Sequence, residues 1–211
     1  MAIDIKNLLF DLGGVIMDID KNCCIRAFEA LGMRDAGRFF GDYSQQGPFR
    51  DIEQGSITVE QFHTLVGREL RAGVSDAQID AAFNAFLLGI PVARLRALER
   101  LSLKYNICLL SNTNPIMWGS AIRDYFAIDG HAREDYFAGG IVTSFEAKCL
   151  KPDRRIFDHT AATLGIAPEQ TLFFDDSATN VEAAIAAGYN AVVVPHGTEF
   201  TDVLQRWLSQ A

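Results

Sequence analysis

The stretch NLLFDLGGVI, residues 7–16, decides how the chain is read. Leu8, Leu9 and Phe10 make a short apolar run that ends on a carboxylate, Asp11, with Gly13 and Gly14 just beyond. An unbroken apolar run of this length is the pattern of a strand buried on both faces, as in a parallel sheet. Asp11 is then either a turn residue or a reactive group at the strand's tip. Three more runs share the pattern, at 107–110, 171–174 and 191–194, with a weaker one at 140–142. Helical periods separate them. Leu95, Leu98 and Leu101 precede the second run. Ile156, Phe157 and Leu164 precede the third, with Gly165 as the stop. Val181, Ala184, Ile185 and Gly188 precede the fourth, and Phe200, Val203, Leu204 and Trp207 close the chain. This alternation predicts an α/β fold: a doubly wound, Rossmann-like core with a mainly parallel sheet.

Residues 21–90 interrupt the alternation with helix after helix. Ile25, Phe28 and Leu31 share one face, and Gly32 ends that helix. Thr58-Val-Glu-Gln61 and Ser75-Asp-Ala-Gln78 both read as capping boxes in front of apolar periods. Phe62, Leu65 and Val66 follow the first box; Ile79, Phe83 and Phe86 follow the second. The expectation is a core made of residues 1–20 and 91–211, with a helical cap, 21–90, inserted after the first strand. Pro91 marks the return to the core.

Composition narrows the function. The chain has 211 residues, 49% hydrophobic and 22% charged, which suits one globular core with an insertion. No apolar stretch approaches the ~20 residues of a membrane span, and MAIDIKN lacks the apolar segment of a signal peptide. Cys23, Cys24, Cys108 and Cys149 form no CxxC pair, so free thiols in a reducing cytoplasm are expected. The net charge of −8 excludes a large basic nucleic-acid footprint. It leaves room for a small anion held by one lysine and a metal ion.

In an open α/β sheet, ligands sit beyond the carboxyl ends of the strands. The first run ends in Asp11, the second in Ser111-Asn112-Thr113-Asn114, the third in Asp175-Asp176-Ser177. Lys151 stands in CLKPD, before a helix. Each has a bland reading. Asp11 could close a turn, Asp175 and Asp176 could cap a helix, and Lys151 could be solvated. Together they describe phosphoryl transfer. Asp11 attacks phosphorus; Asp175 and Asp176, with Asp11, offer hard oxygen ligands for Mg²⁺; Ser111 and Lys151 hold phosphoryl oxygens. Gly13 and Gly14 let the backbone turn and bring N–H groups, such as that of Leu12, to the phosphate.

The ordered set FDLGGV, LLSNTN, CLKPDRRIF and LFFDDSATN resembles the four motifs of the haloacid dehalogenase superfamily of phosphohydrolases. The resemblance places Asp11 as nucleophile and carries over Ser111, Lys151, Asp175 and Asp176. It implies a backbone carbonyl ligand to Mg²⁺ at Gly13, an N–H contact to phosphate from Asn112, and a metal-bound water near Asn180. The inserted helices match the family's type-1 cap, which reads the substrate. FDLGGVIMDID and LLSNTNP are closest to bacterial sugar-phosphate phosphatases, notably those of α-D-glucose 1-phosphate.

One position departs from the pattern. Most phosphatases of the superfamily carry a second aspartate, the general acid–base, two residues after the nucleophile; here it is Gly13. General acid–base catalysis contributes about 10²–10⁴-fold, so the absence matters. Either the leaving group is easy, as from a sugar 1-phosphate, or Asp18 or Asp20 supplies the proton. A metal-independent 2-haloacid dehalogenase needs no acid there but leaves Asp175-Asp176 unexplained. A non-catalytic phosphate-binding module leaves Asp11 and Lys151 unexplained. A mutase would need the missing aspartate. Phe49 and Arg50, in GPFRDIEQG, could reach the substrate, and the four histidines carry no ligand spacing. The expectation is a cytoplasmic, Mg²⁺-dependent phosphatase acting on a small phosphorylated metabolite, with no nucleic-acid or membrane partner.

Overall fold

A computed structural model describes residues 4–41, 45–128 and 130–209. The ends of the expected core, 1–3 and 210–211, lie outside the described residues. The strands are β1 (Asn7–Phe10), β2 (Asp18–Ile19), β3 (Leu87–Gly89), β4 (Asn106–Ser111), β5 (Ile141–Thr143), β6 (Thr171–Asp175) and β7 (Asn190–Val193). The main sheet runs in the order β5-β4-β1-β6-β7, and every pairing in it is parallel. Each of the five apolar runs is a strand of this sheet, with ends within one residue of expectation on most sides.

The pleat explains why such short runs suffice. Leu8 and Phe10 point to one face and Leu9 to the other, so each strand feeds two cores. On one face Leu9, Cys108, Leu110 and Phe173 pack with Ile156, Phe157 and Ala184. On the other, Leu8, Phe10, Ile107, Leu109 and Phe174 join a larger cluster that continues into the inserted helices. Phe10 stacks on Phe174 at 4.9 Å between centroids and meets Phe200 edge-on.

Between β2 and β3 come α1 (Lys21–Ala30), α2 (Pro48–Glu53), α3 (Val59–Gly67) and α4 (Asp76–Asn84). Both expected capping boxes are present: Thr58 with Gln61 opens α3, and Ser75 with Gln78 opens α4. Phe49 lies at the centre of an aromatic cluster, touching Phe28, Phe40, Phe62 and Phe83. Burying a side chain of this size contributes about 1.5–3 kcal/mol, so these aromatic residues make a substantial part of the cluster the helices share with the sheet. The antiparallel pair β2–β3 closes the base of the insert. Two and three residues are too few to leave a period in the sequence, and this pair was not anticipated.

After β3 the chain continues through α5 (Val92–Ser102), capped by Pro91, to β4. Next come α6 (Pro115–Gly119), α7 (Ala121–Phe126) and α8 (Arg133–Tyr136) before β5, and α9 (Ser144–Ala147) after it. These short helices also escaped the sequence reading, since Pro115 and Gly119-Ser120 break the pattern. Then α10 (Arg154–Leu164) ends at Gly165, whose φ of 64° makes the left-handed cap the glycine signalled. Finally α11 (Ala178–Ala186) follows β6, and α12 (Phe200–Leu208) follows β7.

Candidate active site

β1 lies between β4 and β6, and the chain visits one side of it before crossing to the other. That is the switch point at which open α/β sheets bind ligands. Asp11 follows β1, Ser111 ends β4 and Asp175 ends β6. A cavity of about 690 Å³ opens above these strand ends. Asp11, Gly13, Ser111, Asn112, Lys151 and Asp176 form its floor, while Gln45, Glu53 and Phe86 of the insert contribute to its wall.

Lys151 ties the floor together. Its Nζ is 2.9 Å from Asp11 Oδ1 and 2.6 Å from Asp175 Oδ2, and it donates to the Leu110 carbonyl at 3.3 Å. Burial opposes the Lys151 ammonium, but Asp11 and Asp175 outweigh it and leave its pKa raised. The lysine backbone is held as firmly as its head. Asn112 Oδ1 accepts the Lys151 N–H at 2.9 Å, and Asn112 Nδ2 donates to the Lys151 carbonyl at 3.1 Å. The Asn112 side chain therefore fixes the lysine loop, a role its sequence position did not indicate.

Asp175 is fully buried and saturated. Besides Lys151 it accepts from the Ser177 N–H at 2.8 Å and from Asn180 Nδ2 at 3.0 and 3.2 Å. Asp175 does not line the cavity; Asp176 beside it does. Oxygen atoms of Asp11, Asp175 and Asp176 all lie within 4.8 Å of one another. Burial above all, then the two other carboxylates, raises the Asp11 pKa against the pull of Lys151. Burial and Asp175 likewise push Asp176 up to about 6, again against Lys151. Three carboxylates face one ammonium where charge is poorly screened. Such a set of hard oxygen donors, carrying excess negative charge, fits a divalent cation.

The two glycines after Asp11 differ. Gly14 has φ +74°, and a Cβ there would fall 2.3 Å from Asp176 Oδ2. The turn and the close carboxylate both require it. Gly13 is outside the left-handed region, and a Cβ would meet only the flexible Ile19 side chain, at 3.1 Å from Cδ1. The turn does not need a glycine at position 13. The N–H of Leu12 donates to Asp11 Oδ1 at 2.7 Å and so orients that carboxylate.

Several expectations require correction. Asp18 is outside the cavity lining: Arg94 Nη1 holds its carboxylate at 2.8 Å, and Arg94 is itself clamped by Glu199 and the Ile16 carbonyl. Asp20 reaches the cavity, but it caps α1 by accepting the Asn22 N–H at 2.9 Å, and that bond leads in lowering its pKa. It is ionised at neutral pH and has no proton to give. Phe49 is buried inside the insert and Arg50 is exposed; neither lines the cavity. Glu53, from the same helix, does. The signal was available, since Phe49, Ile52 and Glu53 share one helical face, which places a carboxyl on an apolar stripe. His196, given no role from its spacing, also lines the cavity.

A parallel sheet with a carboxylate after its central strand, a buried lysine and two further aspartates defines a class of α/β proteins built to handle an anion at the switch point. The match to a known family is direct. Residues 5–188 fit the model of haloacid dehalogenase-like hydrolases, and the chain belongs to that family. A D-ribitol-5-phosphate phosphatase of Bacteroides thetaiotaomicron is 30% identical over 200 residues, covering 95% of this chain and 97% of that protein. A phosphatase of Mycobacterium tuberculosis is 26% identical over 216 residues, covering 97% and 94%. Among solved structures, an aspartate-to-alanine variant of a haloacid dehalogenase family enzyme from B. thetaiotaomicron, in complex with magnesium and inorganic phosphate, is 36% identical. It superposes with a TM-score of 0.90 over 95% of this chain and 98% of its own. A protein from Porphyromonas gingivalis described as a predicted HAD-like family hydrolase is 30% identical, with a TM-score of 0.88 over 97% and 98%.

Proposed function

We propose that the protein is a Mg²⁺-dependent phosphatase that hydrolyses a small phosphorylated polyol or sugar through an aspartyl-phosphate intermediate. The observation that carries this is the convergence of Asp11, Ser111, Lys151 and Asp176 on one cavity at the carboxyl ends of β1, β4 and β6. Asp11 Oδ attacks phosphorus in line, Lys151 offers its ammonium to the phosphoryl oxygens, and Ser111 offers its hydroxyl. The main-chain N–H of Asn112 supplies a further donor, while that of Leu12 orients the Asp11 carboxylate. Asp175 and Asn180 keep Lys151 and the β6 tip in place.

With the charge of the buried Asp175 carboxylate behind them, Asp11, Asp176 and the carbonyl of Gly13 would hold Mg²⁺. When bound it offsets the negative charge gathered where phosphate must enter. Residues 21–90 act as a cap over the phosphate site, with 1–20 and 91–211 as the core. The four cysteines are unpaired, which supports a reducing cytoplasmic setting, and no helix among the described residues is long and apolar enough to cross a membrane.

The relative named for D-ribitol 5-phosphate moves the substrate away from a sugar 1-phosphate, because a 5-phosphate leaves as a primary alkoxide. The test is a panel of phosphorylated polyols and sugars, assayed for phosphate release with Mg²⁺ and with EDTA. Turnover by the wild type that EDTA abolishes, and a loss of about 10⁴-fold or more in Asp11→Asn, are expected. An Asp11→Asn variant with ordinary turnover would remove the nucleophile assignment.

A further inference from the structure

The reaction proposed above has a second end. In an in-line transfer the departing oxygen lies opposite the attacking one. Asp11 attacks from the floor of the cavity, so the leaving oxygen faces the wall that the insert builds. An alkoxide leaves poorly, and a proton delivered as its bond breaks contributes about 10²–10⁴-fold. The donor must face the cavity, be protonated at neutral pH and have no competing partner.

Among the described residues, four carboxyls line the cavity: Asp11, Asp20, Glu53 and Asp176. Asp11 and Asp176 belong to the floor cluster, and Asp20 is held ionised by its cap. Glu53 meets every requirement. It ends α2, is only 9% exposed, and no charge or hydrogen bond counters the effect of its burial among the described residues. Burial alone pushes its pKa up to about 8, so it is a neutral acid at neutral pH. The titratable neighbour facing it is the buried Cys24 thiol of α1. Lys148, on the opposite segment, donates instead to the Gly55 carbonyl at 2.6 Å.

Its position is fixed relative to the phosphate floor. Ser144 Oγ donates to the Glu53 carbonyl at 2.6 Å and accepts the Thr113 N–H at 3.0 Å. Thr113 follows Asn112, which in turn grips Lys151. One hydroxyl therefore pins the end of α2 beside the loop after β4. The same wall carries two more polar atoms with no hydrogen-bond partner among the described residues, Thr113 Oγ1 and Gln45 Oε1. Buried polar groups are nearly always paired, so these mark a surface shaped for a hydroxylated ligand.

We propose that Glu53 is the general acid–base of the reaction, replacing the side chain that Gly13 lacks. This rests on the phosphatase reading. As the bond from Asp11 Oδ to phosphorus forms, the bond from phosphorus to the alkyl oxygen breaks. The electron pair stays on that oxygen, and the Glu53 proton moves to it, giving the free alcohol and a Glu53 carboxylate. In the second step a water oxygen bonds to phosphorus, the bond to Asp11 breaks, and the water proton returns to Glu53. Phosphate leaves and both carboxyls regain their starting states.

The test compares two leaving groups in wild type, Glu53→Gln and His196→Gln, all with Mg²⁺. One substrate is the best alkyl phosphate of the panel, ribitol 5-phosphate among them; the other is 4-nitrophenyl phosphate, whose phenolate departs with little help. Glu53→Gln is expected to lower kcat on the alkyl ester by about 10²-fold or more, with a loss about tenfold or more smaller on the aryl ester. KM should change little. Equal losses on both esters, a change confined to KM, or the same selective loss in His196→Gln would overturn the assignment while leaving the phosphatase reading intact. A wild type that turns over no phosphate ester overturns both. Should Glu53→Gln fail to fold, the wild-type profile decides: kcat on the alkyl ester should fall above about pH 8, and a flat profile there removes Glu53.

Discussion

The floor and the wall of the cavity are built on opposite principles. On the floor, Lys151, Asp175, Asn112 and Asn180 are bonded to one another in a closed set, each held from more than one side. On the wall, Thr113 Oγ1 and Gln45 Oε1 have no hydrogen-bond partner among the described residues, and the Glu53 carboxyl shares the same space. The difference teaches what each half is for. A phosphoryl group is the same in every substrate, so its donors can be fixed in advance, which is where electrostatic catalysis gains most. The organic half varies, and groups awaiting a partner discriminate by the cost of leaving them unmet.

The sharpest way to break this comparison is to unlock the floor. Lys151→Met removes the ammonium paired with Asp11 and Asp175 and leaves both carboxylates buried without that counter-charge. Breaking a buried pair in this way costs about 3–5 kcal/mol. Urea unfolding in EDTA should show a loss of that size, with no measurable phosphatase turnover. Mg²⁺ should restore more stability to the variant than it adds to the wild type. A variant as stable as the wild type in EDTA would show that the floor is not held by charge pairing.

The same contrast explains what could be read in the sequence. Floor residues stand at the tips of apolar runs, where the change from buried strand to carboxylate or hydroxyl is visible in a few letters. Asp11, Ser111 and Asp175-Asp176 were legible for that reason, and Lys151 through its place before a proline and a helix. Wall residues carry a fainter mark, a carboxyl on the apolar stripe of a short helix. Phe49 and Glu53 lie four positions apart on a six-residue helix, and which of the two faces a cavity depends on how the insert folds back over β4 and β5. Asp18 and Asp20 were close to the nucleophile in sequence but are claimed by Arg94 and by the α1 cap. The β2–β3 pair at the base of the insert is too short to register as a pattern at all.

A second test probes the wall through pH. Glu53 titrates near 4.5 when unfolded and is pushed up to about 8 when buried. Between those values the unfolded chain has released this proton and the folded chain has kept it. Glu53 therefore contributes stability that is complete below the unfolded value and is lost as pH rises through the folded one. The slope approaches about 1.4 kcal/mol per pH unit at most. Thermal melts of wild type and Glu53→Gln across pH 5–9 should diverge, with the advantage moving toward the variant as pH rises. Parallel curves would mean that Glu53 is hydrated in solution, and the wall would then resemble an ordinary surface.

The smallest effect tests the join between the halves. The Ser144 hydroxyl links the Glu53 carbonyl to Thr113. Ser144→Ala leaves a buried carbonyl and a buried N–H without that partner, at a cost of about 1–3 kcal/mol. It touches no charge and none of the groups assigned to phosphate, so the floor should remain intact. Its kinetic signature should therefore be that of a displaced wall: a loss on alkyl phosphates exceeding the loss on 4-nitrophenyl phosphate, in the direction expected of Glu53→Gln but weaker. A stability loss with equal effects on both esters would mean that the end of α2 keeps its place without the serine. The insert would then be positioned by its other contacts with the core, the Lys148 bond to the Gly55 carbonyl among them, not by the hydroxyl that joins Glu53 to the β4 loop.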